Sequence, residues 1–417
     1  MAIATDSTQP LTTADGTPLR QSLRRAERLN KLRAFGLVAP LFLFILVFFV
    51  FPIAKLASVS VDNSIVPEIL PNTVEAIQDW DGTDLPPEPV WEAMAADLVE
   101  GKKNRNIAKV GKRLNFEKPG FRRLLIKSAR KADKLEAPYK ESLIKANKKW
   151  ADPEFWNVLK RESGSYTFSY ILAAVDMTYS DDGSLTMVDD DNAVYLDIFG
   201  RTLFISAQVT LTCLLLGFPI AYLLSTLPAK TGNMLMIFVL LPFWISLLVR
   251  TTAWIVLLQD QGVINSALIG LGIIDEPLAL IRNRVGVVVA MTHILLPFMI
   301  LPLYSVMKGI NPSLMRAAKS MGANPAIAFW RVYTPLTVPG IGAGGLLVFI
   351  ISIGYYITPA LVGGPKDIMA SQLIDVQMNQ QLNWNMASAI GVVLLAITLV
   401  LFAIYNRLVG IDRMKMG

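Results

Sequence analysis

Six stretches of this chain are apolar for about 20 residues or more, near 34–54, 202–226, 234–258, 285–307, 336–358 and 387–409. A coiled segment of roughly that length spans the hydrocarbon core of a bilayer. Hydrocarbon offers no hydrogen bonds, so the backbone there must satisfy itself as helix. The expected fold class is therefore an all-α polytopic membrane protein with six transmembrane helices. Composition agrees: only 17% of the 417 residues are charged and mean hydropathy is +0.46, against about 25% charged in soluble domains. One cysteine, Cys213, excludes an intrachain disulfide, and one histidine, His293, excludes any site that needs two. The first stretch is not expected to be a cleaved leader, since some thirty polar residues precede it.

Short basic flanks give the direction of insertion. The arm 1–33 carries Arg20, Arg24, Arg25, Arg28, Lys31 and Arg33. The tail 411–417 carries Arg413 and Lys415, and Arg407 stands just before it. Both ends are expected in the cytoplasm, in keeping with an even number of spans. The loop 308–335, with four bases and no acid, falls on the same side. The organisation expected is a basic arm (1–33), a first span (34–61), an outer insert (62–197), a core of five spans (198–410) and the tail.

The insert is blocked by charge. Residues 62–100 hold ten acids and no base, 101–161 hold nineteen Lys and Arg against six acids, and 162–197 hold eight acids and no base. Long loops translocate largely regardless of charge, so the basic block does not contradict an outward position. Outside the membrane it has no call on nucleic acid. Pro89, Trp91, Met94 and Leu98 before Gly101, then Phe121, Leu124, Leu125 and Ala129, keep helical spacing. The insert reads as a mainly helical cap whose acidic flanks neutralise its basic middle, with a docking surface as the sharper alternative. The segment 165–175 fits strand or helix.

The loop 308–335 reads KGINPSLMRAAKSMGANPAIAFWRVYTP. Asn311-Pro312 and Asn324-Pro325 each combine a helix cap with proline at the first helical position. Gly322 stands where the first helix must stop. Two short helices follow from this pattern, the first offering Leu314, Ala317, Ala318 and Met321, the second Ile327, Phe329, Trp330, Val332 and Tyr333. Such an elbow suits a partner's groove or the lipid interface.

Arg316-Ala317-Ala318, then Gly322, Val332 and Pro335, resembles the EAA loop of binding-protein-dependent ABC importer permeases. Arg316 stands where that pattern has Glu, and Thr334 where it has Leu. The run Leu211–Tyr222, Leu241-Pro242-Phe243-Trp244 with Arg250-Thr251 and Ala253-Trp254, and Pro359–Gly364 resemble the spermidine/putrescine-type group. This likeness covers about 195–410 and leaves out the insert. It implies a type I importer fold in the bacterial inner membrane, moving polyamines or related small solutes by alternating access. The implied partners are an ABC ATPase dimer, a second permease subunit, a periplasmic substrate-binding protein and the lipid bilayer. No catalytic residues and no cofactor are implied for this chain. ATP and magnesium belong to the ATPase subunits, and the sequence has no G-x-x-x-x-G-K-S/T loop of its own. The resemblance assigns ATPase coupling to Arg316, Ala317, Ala318, Met321, Gly322, Asn324, Pro325, Phe329, Trp330 and Pro335.

Candidate pathway residues come from the spans. Arg250 lies inside the third, and an intramembrane charge is a functional hypothesis by default. Asp260 is its candidate partner, and His293, Trp254 and Trp384 complete the set. The spans hold no acid at mid-bilayer, which leaves an anionic or zwitterionic solute (an opine, an amino-acid-like compound or a phosphonate) as an alternative substrate. A gradient-driven carrier is the more distant alternative and would need ion-binding acids. Gly340–Gly345 fits G-x-G-x-x-G but opens an apolar span, where Gly340 and Gly344 favour close helix packing.

Overall fold

A computed structural model describes residues 19–180 and 183–409. Positions 1–18 of the basic arm, and the tail with Arg413 and Lys415, lie outside the described residues. Among the described residues the regular structure is helical apart from one hairpin, Met177–Tyr179 paired with Leu185–Met187, and an isolated bridge between Asp62 and Tyr166. Among the same residues, five helices are long and apolar enough to cross a membrane: Asn30–Val59, Tyr195–Thr226, Arg284–Gly309, Pro325–Ile353 and Trp384–Arg407. The N-terminal segment up to Ser58 forms a unit of its own, a helix Leu19–Ile45 that continues through a π turn into Phe51–Val59.

The third predicted span, 234–258, is not one rod. Ala229–Trp244 and Leu247–Gly270 meet at 96°, so six spans are reached only if this bent pair counts as one. The cause is local. Pro242 has no N–H to continue the helix, and Leu241–Trp244 tightens into a 3-10 turn. Ile245 and Ser246 then take extended conformations before the helix Leu247–Leu258 begins.

The packing centre of the spans is formed by Tyr195–Thr226, Arg284–Gly309 and Thr334–Ile353. Lipid tails are as apolar as leucine, so close backbone approach decides which helices associate. A Cβ on Gly344 would stand 3.1 Å from the Met299 carbonyl oxygen, and one on Gly340 would stand 3.2 Å from Leu303 Cα. On the other side of Met299, its Cγ would lie 3.1 Å from a Cβ on Gly217. Met299 thus fills the space between two glycines on different helices.

The insert has a separate core of Trp91, Trp150, Trp156, Phe121, Phe155 and leucines from its helices. Each indole finds an acceptor: Trp91 Nε1 donates to Pro86 O (2.8 Å), Trp150 Nε1 to Ser128 Oγ (2.8 Å) and Trp156 Nε1 to Trp150 O (3.0 Å). The stretch 165–175 contains a short helix, Ser169–Ala173. Among the described residues, one flank acid, Glu162, forms ion pairs with the basic block, to Arg113 and Arg161. Lys102 and Lys118 pair with Asp133, Asp152 and Glu154 of the block itself. Asp97 serves the backbone and side chains of Asn72 and Thr73.

One flank residue does enter a buried network. Glu162 accepts from Arg113 at 2.6 Å, and Arg113 also meets Glu117 at 2.6 Å. Arg113 Nε donates to Asn63 Oδ1, and Asn63 Nδ2 donates to the carbonyls of Glu162 and Gly164. The two ends of the insert are tied together here. Burial, and then the neighbouring Glu162 carboxylate, push the Glu117 carboxyl above its ordinary range.

Two outcomes are expected. Gly344→Val lowers the detergent melting temperature of the chain, because overpacking costs about 1–3 kcal/mol. Gly345→Val, where a Cβ would meet only Thr210 Cγ2 at 3.9 Å, leaves it nearly unchanged. For Glu117, a carboxyl raised in the folded state stabilises below its unfolded pKa and loses that contribution as pH rises through the folded value. Hydrogen exchange across residues 107–117, corrected for intrinsic rate, should show protection falling with rising pH in the native chain. The fall should be flatter in Glu117→Gln.

Candidate functional site

The first limb of the loop 308–335 is the helix Pro312–Ser320. Asn311 Oδ1 accepts from Ser313 N at 2.9 Å, and Pro312 stands where no donor is needed. Gly322 ends the helix at φ +87°. Its N–H donates to Lys319 O, and the Ala323 N–H reaches back to Ala318 O. This is the double closure of a Schellman stop, which glycine adopts without strain. Asn324 Oδ1 then accepts from Ala326 N at 3.1 Å and opens the second limb.

That second limb is not a separate short helix. Pro325–Ala328 runs through a π turn, Phe329–Tyr333, straight into Thr334–Ile353, a continuous 29-residue helix. The turn residues of the loop end at Asn324, so nothing remains to break the helix before the span. Pro335 lies inside this continuous helix, just past the π turn Phe329–Tyr333.

The side chains divide accordingly. Met321 is 83% exposed and Trp330 67%, and Leu314, Arg316, Ala317, Asn324 and Pro325 are also exposed. Ala318 is buried and Phe329 half-buried. Phe329 stacks on Tyr333 (5.4 Å between centroids, 16°) and meets Tyr222 and Phe218 edge-on at 5.4 and 6.2 Å. Tyr222 also meets Tyr333 at 5.3 Å. Phe329 and Tyr333, expected among the gripped residues, instead root the elbow in the helix Tyr195–Thr226. Sequence reading missed Phe218 and Tyr222. Their i,i+4 spacing, repeated by Phe329 and Tyr333, is the signal that would have paired them.

The pathway candidates separate into two groups. Arg250 is buried, and its NH2 donates to Ile245 O at 3.0 Å. Next to it, Thr251 Oγ1 lies 3.2 Å from Thr358 Oγ1. One turn further on, Trp254 Nε1 donates to His293 Nδ1 at 3.1 Å, so the imidazole proton sits on Nε2. Asp260 is exposed and forms no ion pair with Arg250, and Trp384 is exposed at the start of the last helix. The expected Arg250–Asp260 pair is therefore absent. The bend lies before Arg250, and the helix Leu247–Leu258 carries Asp260 beyond its far end. Thr251 and Thr358 were not singled out from sequence, because threonine is common in spans. Among the described residues, no group of three or more His, Cys, Asp or Glu gathers to hold a metal.

Residues 203–411 match the family model described as "Binding-protein-dependent transport system inner membrane component". The spermidine/putrescine transport system permease protein PotB of Haemophilus influenzae is 35% identical over 216 residues, 52% of this chain and 76% of that protein. The inner membrane ABC transporter permease protein YdcU of Escherichia coli K12 is 32% identical over 266 residues, 60% of this chain and 82% of that protein. A chain of the bacterial alginate ABC transporter, solved with an alginate-bound periplasmic protein, aligns with 54% of this chain and 80% of its own at 21% identity and a TM-score of 0.43.

Proposed function

The chain belongs to the family of binding-protein-dependent transport system inner membrane components, and on that premise we propose that it is the permease subunit of an ABC importer for polyamines of the spermidine and putrescine class. The observation that carries the substrate class is the alignment with the PotB permeases at 32–35% identity over most of their length. Neither an anionic solute nor a gradient-driven carrier draws comparable support. The chain is a transport subunit of the inner membrane. Its energy comes from a separate pair of ATPase subunits carrying ATP and magnesium. A second permease subunit completes the pathway, and a periplasmic binding protein delivers the substrate.

In this reading the termini and the elbow face the cytoplasm, and the insert faces the periplasm. The exposed surface of the elbow, from Leu314 through Met321 to Trp330, is the part that the ATPase grips. Closure of the ATPase pair moves the elbow. Because its second limb continues into Thr334–Ile353 without a joint, the displacement becomes a tilt of that helix. The glycine contacts with Met299 pass it on to Arg284–Gly309 and Tyr195–Thr226. Arg316 makes no ion pair among the described residues. Its charge is available to an acidic residue of the ATPase, where the related pattern presents Glu to a base.

Proteoliposomes holding the assembled complex should accumulate radiolabelled spermidine only with binding protein and internal ATP, and excess putrescine should compete. Uptake of an opine or a phosphonate without uptake of either polyamine would overturn the substrate class. Gly322→Pro should abolish substrate-stimulated ATP hydrolysis, by tenfold or more, while the chain still inserts. Proline cannot adopt φ +87° and removes the N–H that Lys319 O receives. Full stimulation in that variant would remove the elbow from the coupling path.

A further inference from the structure

The helix Phe121–Arg130 of the insert buries one face and leaves the other bare. Phe121, Leu124, Leu125 and Ala129 enter the core of the insert. Arg122, Arg123, Lys127 and Arg130 are all exposed. They surround the half-buried Ile126 in a shallow hollow of about 430 Å³, to which Asn115 also contributes. Among the described residues none of these four bases enters an ion pair. The acids that pair within the insert are taken by Lys102, Arg113, Lys118 and Arg161.

These charges work against the helix that carries them. Arg122 and Arg123 stand in its first turn, where the helix dipole disfavours a cation, and no acid accompanies them. Arg123 and Lys127 are like charges four residues apart, which disfavours a helix again. Folding of the insert gives no reason for this face, whereas an anion from outside does. Three of the four bases are arginine, whose guanidinium meets a carboxylate through two parallel hydrogen bonds. Lipid is the poorer match. A helix that lies on a membrane mixes Trp, Phe or Leu with its bases, and this one keeps its Phe and Leu inside. Its main packing neighbours are helices of the insert, Glu88–Lys103, Ile107–Glu117 and Tyr139–Ala146, and no span is among them.

We propose that this face is a capture surface for the periplasmic binding protein, receiving carboxylates from the rim of that protein's cleft. The inference rests on the polyamine importer reading. Spermidine and putrescine carry amines that stay protonated at neutral pH, as lysine does. A cleft that takes such cations out of water must pair them with carboxylates. Its rim is then acidic, and the bases around Ile126 complement it. The same bases repel free polyamine and so do not compete for the cargo. Exposed charges of this kind steer the encounter: they raise the rate of association and leave the turnover of the docked complex alone.

The test uses proteoliposomes holding the assembled complex, with ATP hydrolysis followed against the concentration of spermidine-loaded binding protein. The variant is Arg122→Glu with Arg123→Glu. Acids suit the first turn of a helix, so its melting temperature should not fall. At about 0.1 M salt the half-saturating concentration should rise about tenfold or more, with the maximal rate unchanged. Near 1 M salt, where charges are screened beyond about 3 Å, variant and wild type should converge. Lys103→Glu with Lys140→Glu makes the same change of net charge at exposed sites outside the hollow, and it should shift half-saturation far less. An unchanged half-saturating concentration in the Arg122, Arg123 variant would overturn the proposal, and so would an equal shift in the control. A maximal rate that follows the phosphatidylglycerol content of the vesicles in wild type and not in the variant, at unchanged half-saturation, would give the face to lipid instead. A lower half-saturating concentration would mean a basic rim and would also overturn it. Failure of the polyamine reading is seen separately, as uptake of a different solute by the wild-type complex.

Discussion

The interior of a bilayer contains no water to hydrogen-bond a broken backbone, and the structure is arranged around that constraint. Its sharpest expression is the interrupted span. Pro242 and the 3-10 turn leave the Ile245 carbonyl outside any helical ladder, and the guanidinium of Arg250, five residues on, takes it up at 3.0 Å. An arginine in a membrane helix is costly, by about 3 kcal/mol on insertion scales, and here it offsets part of that cost by closing the bend. Five threonine hydroxyls within the spans obey the same rule. Those of Thr202, Thr210, Thr212, Thr251 and Thr398 each return to the carbonyl one turn back.

The constraint also governs how helices associate. With no hydrophobic gain to be had between an apolar helix and lipid, contact depends on shape. Met299 between Gly217 and Gly344 is such a contact, and Gly340 against Leu303 extends it along the same pair of helices. These contacts are short-range and steric, so the three helices respond to a push together. The aromatic cluster of Phe218, Tyr222, Phe329 and Tyr333 joins the same group at its elbow end. Aromatic pairs of this kind contribute about 0.5–1.5 kcal/mol each beyond burial. The cluster therefore holds the second limb of the elbow against the helix Tyr195–Thr226.

What could be read from sequence follows from how local each signal is. The two Asn–Pro starts and the Gly322 stop are decided within four residues, and they stand in the structure with the hydrogen bonds those residue types make. The apolar runs gave the helices for the same reason. The bend escaped notice because proline is tolerated inside other spans of this chain, as at Pro219, Pro297, Pro302 and Pro339. Only at Pro242 do extended residues follow. The merging of the second limb with its span was hidden by Pro335, which looks like a boundary and instead lies inside the continuous helix, just past its π turn. The Arg250–Asp260 pairing failed because the helix Leu247–Leu258 puts more than two turns between Arg250 and Asp260, which stands past its end. His293 with Trp254, and Thr251 with Thr358, depend on which helices meet, and no local pattern carries that.

The insert shows the same division between local pattern and long-range placement. Its blocks of charge suggested broad neutralisation, yet the ions that matter are few. Arg113, Glu162 and Asn63 fasten its two ends together. The carboxylate of Asp176 accepts from the backbone N–H groups of Val194, Tyr195 and Leu196 and so caps the helix Tyr195–Thr226. Lys112 donates to the carbonyls of Gln381 and Leu382, just before the last helix, and Asn385 in that helix donates to Val59 and Asp62. The insert is thus tied by hydrogen bonds to the starts of two separate helices, Tyr195–Thr226 and Trp384–Val409. The first of these is the helix whose other end holds the aromatic root of the elbow.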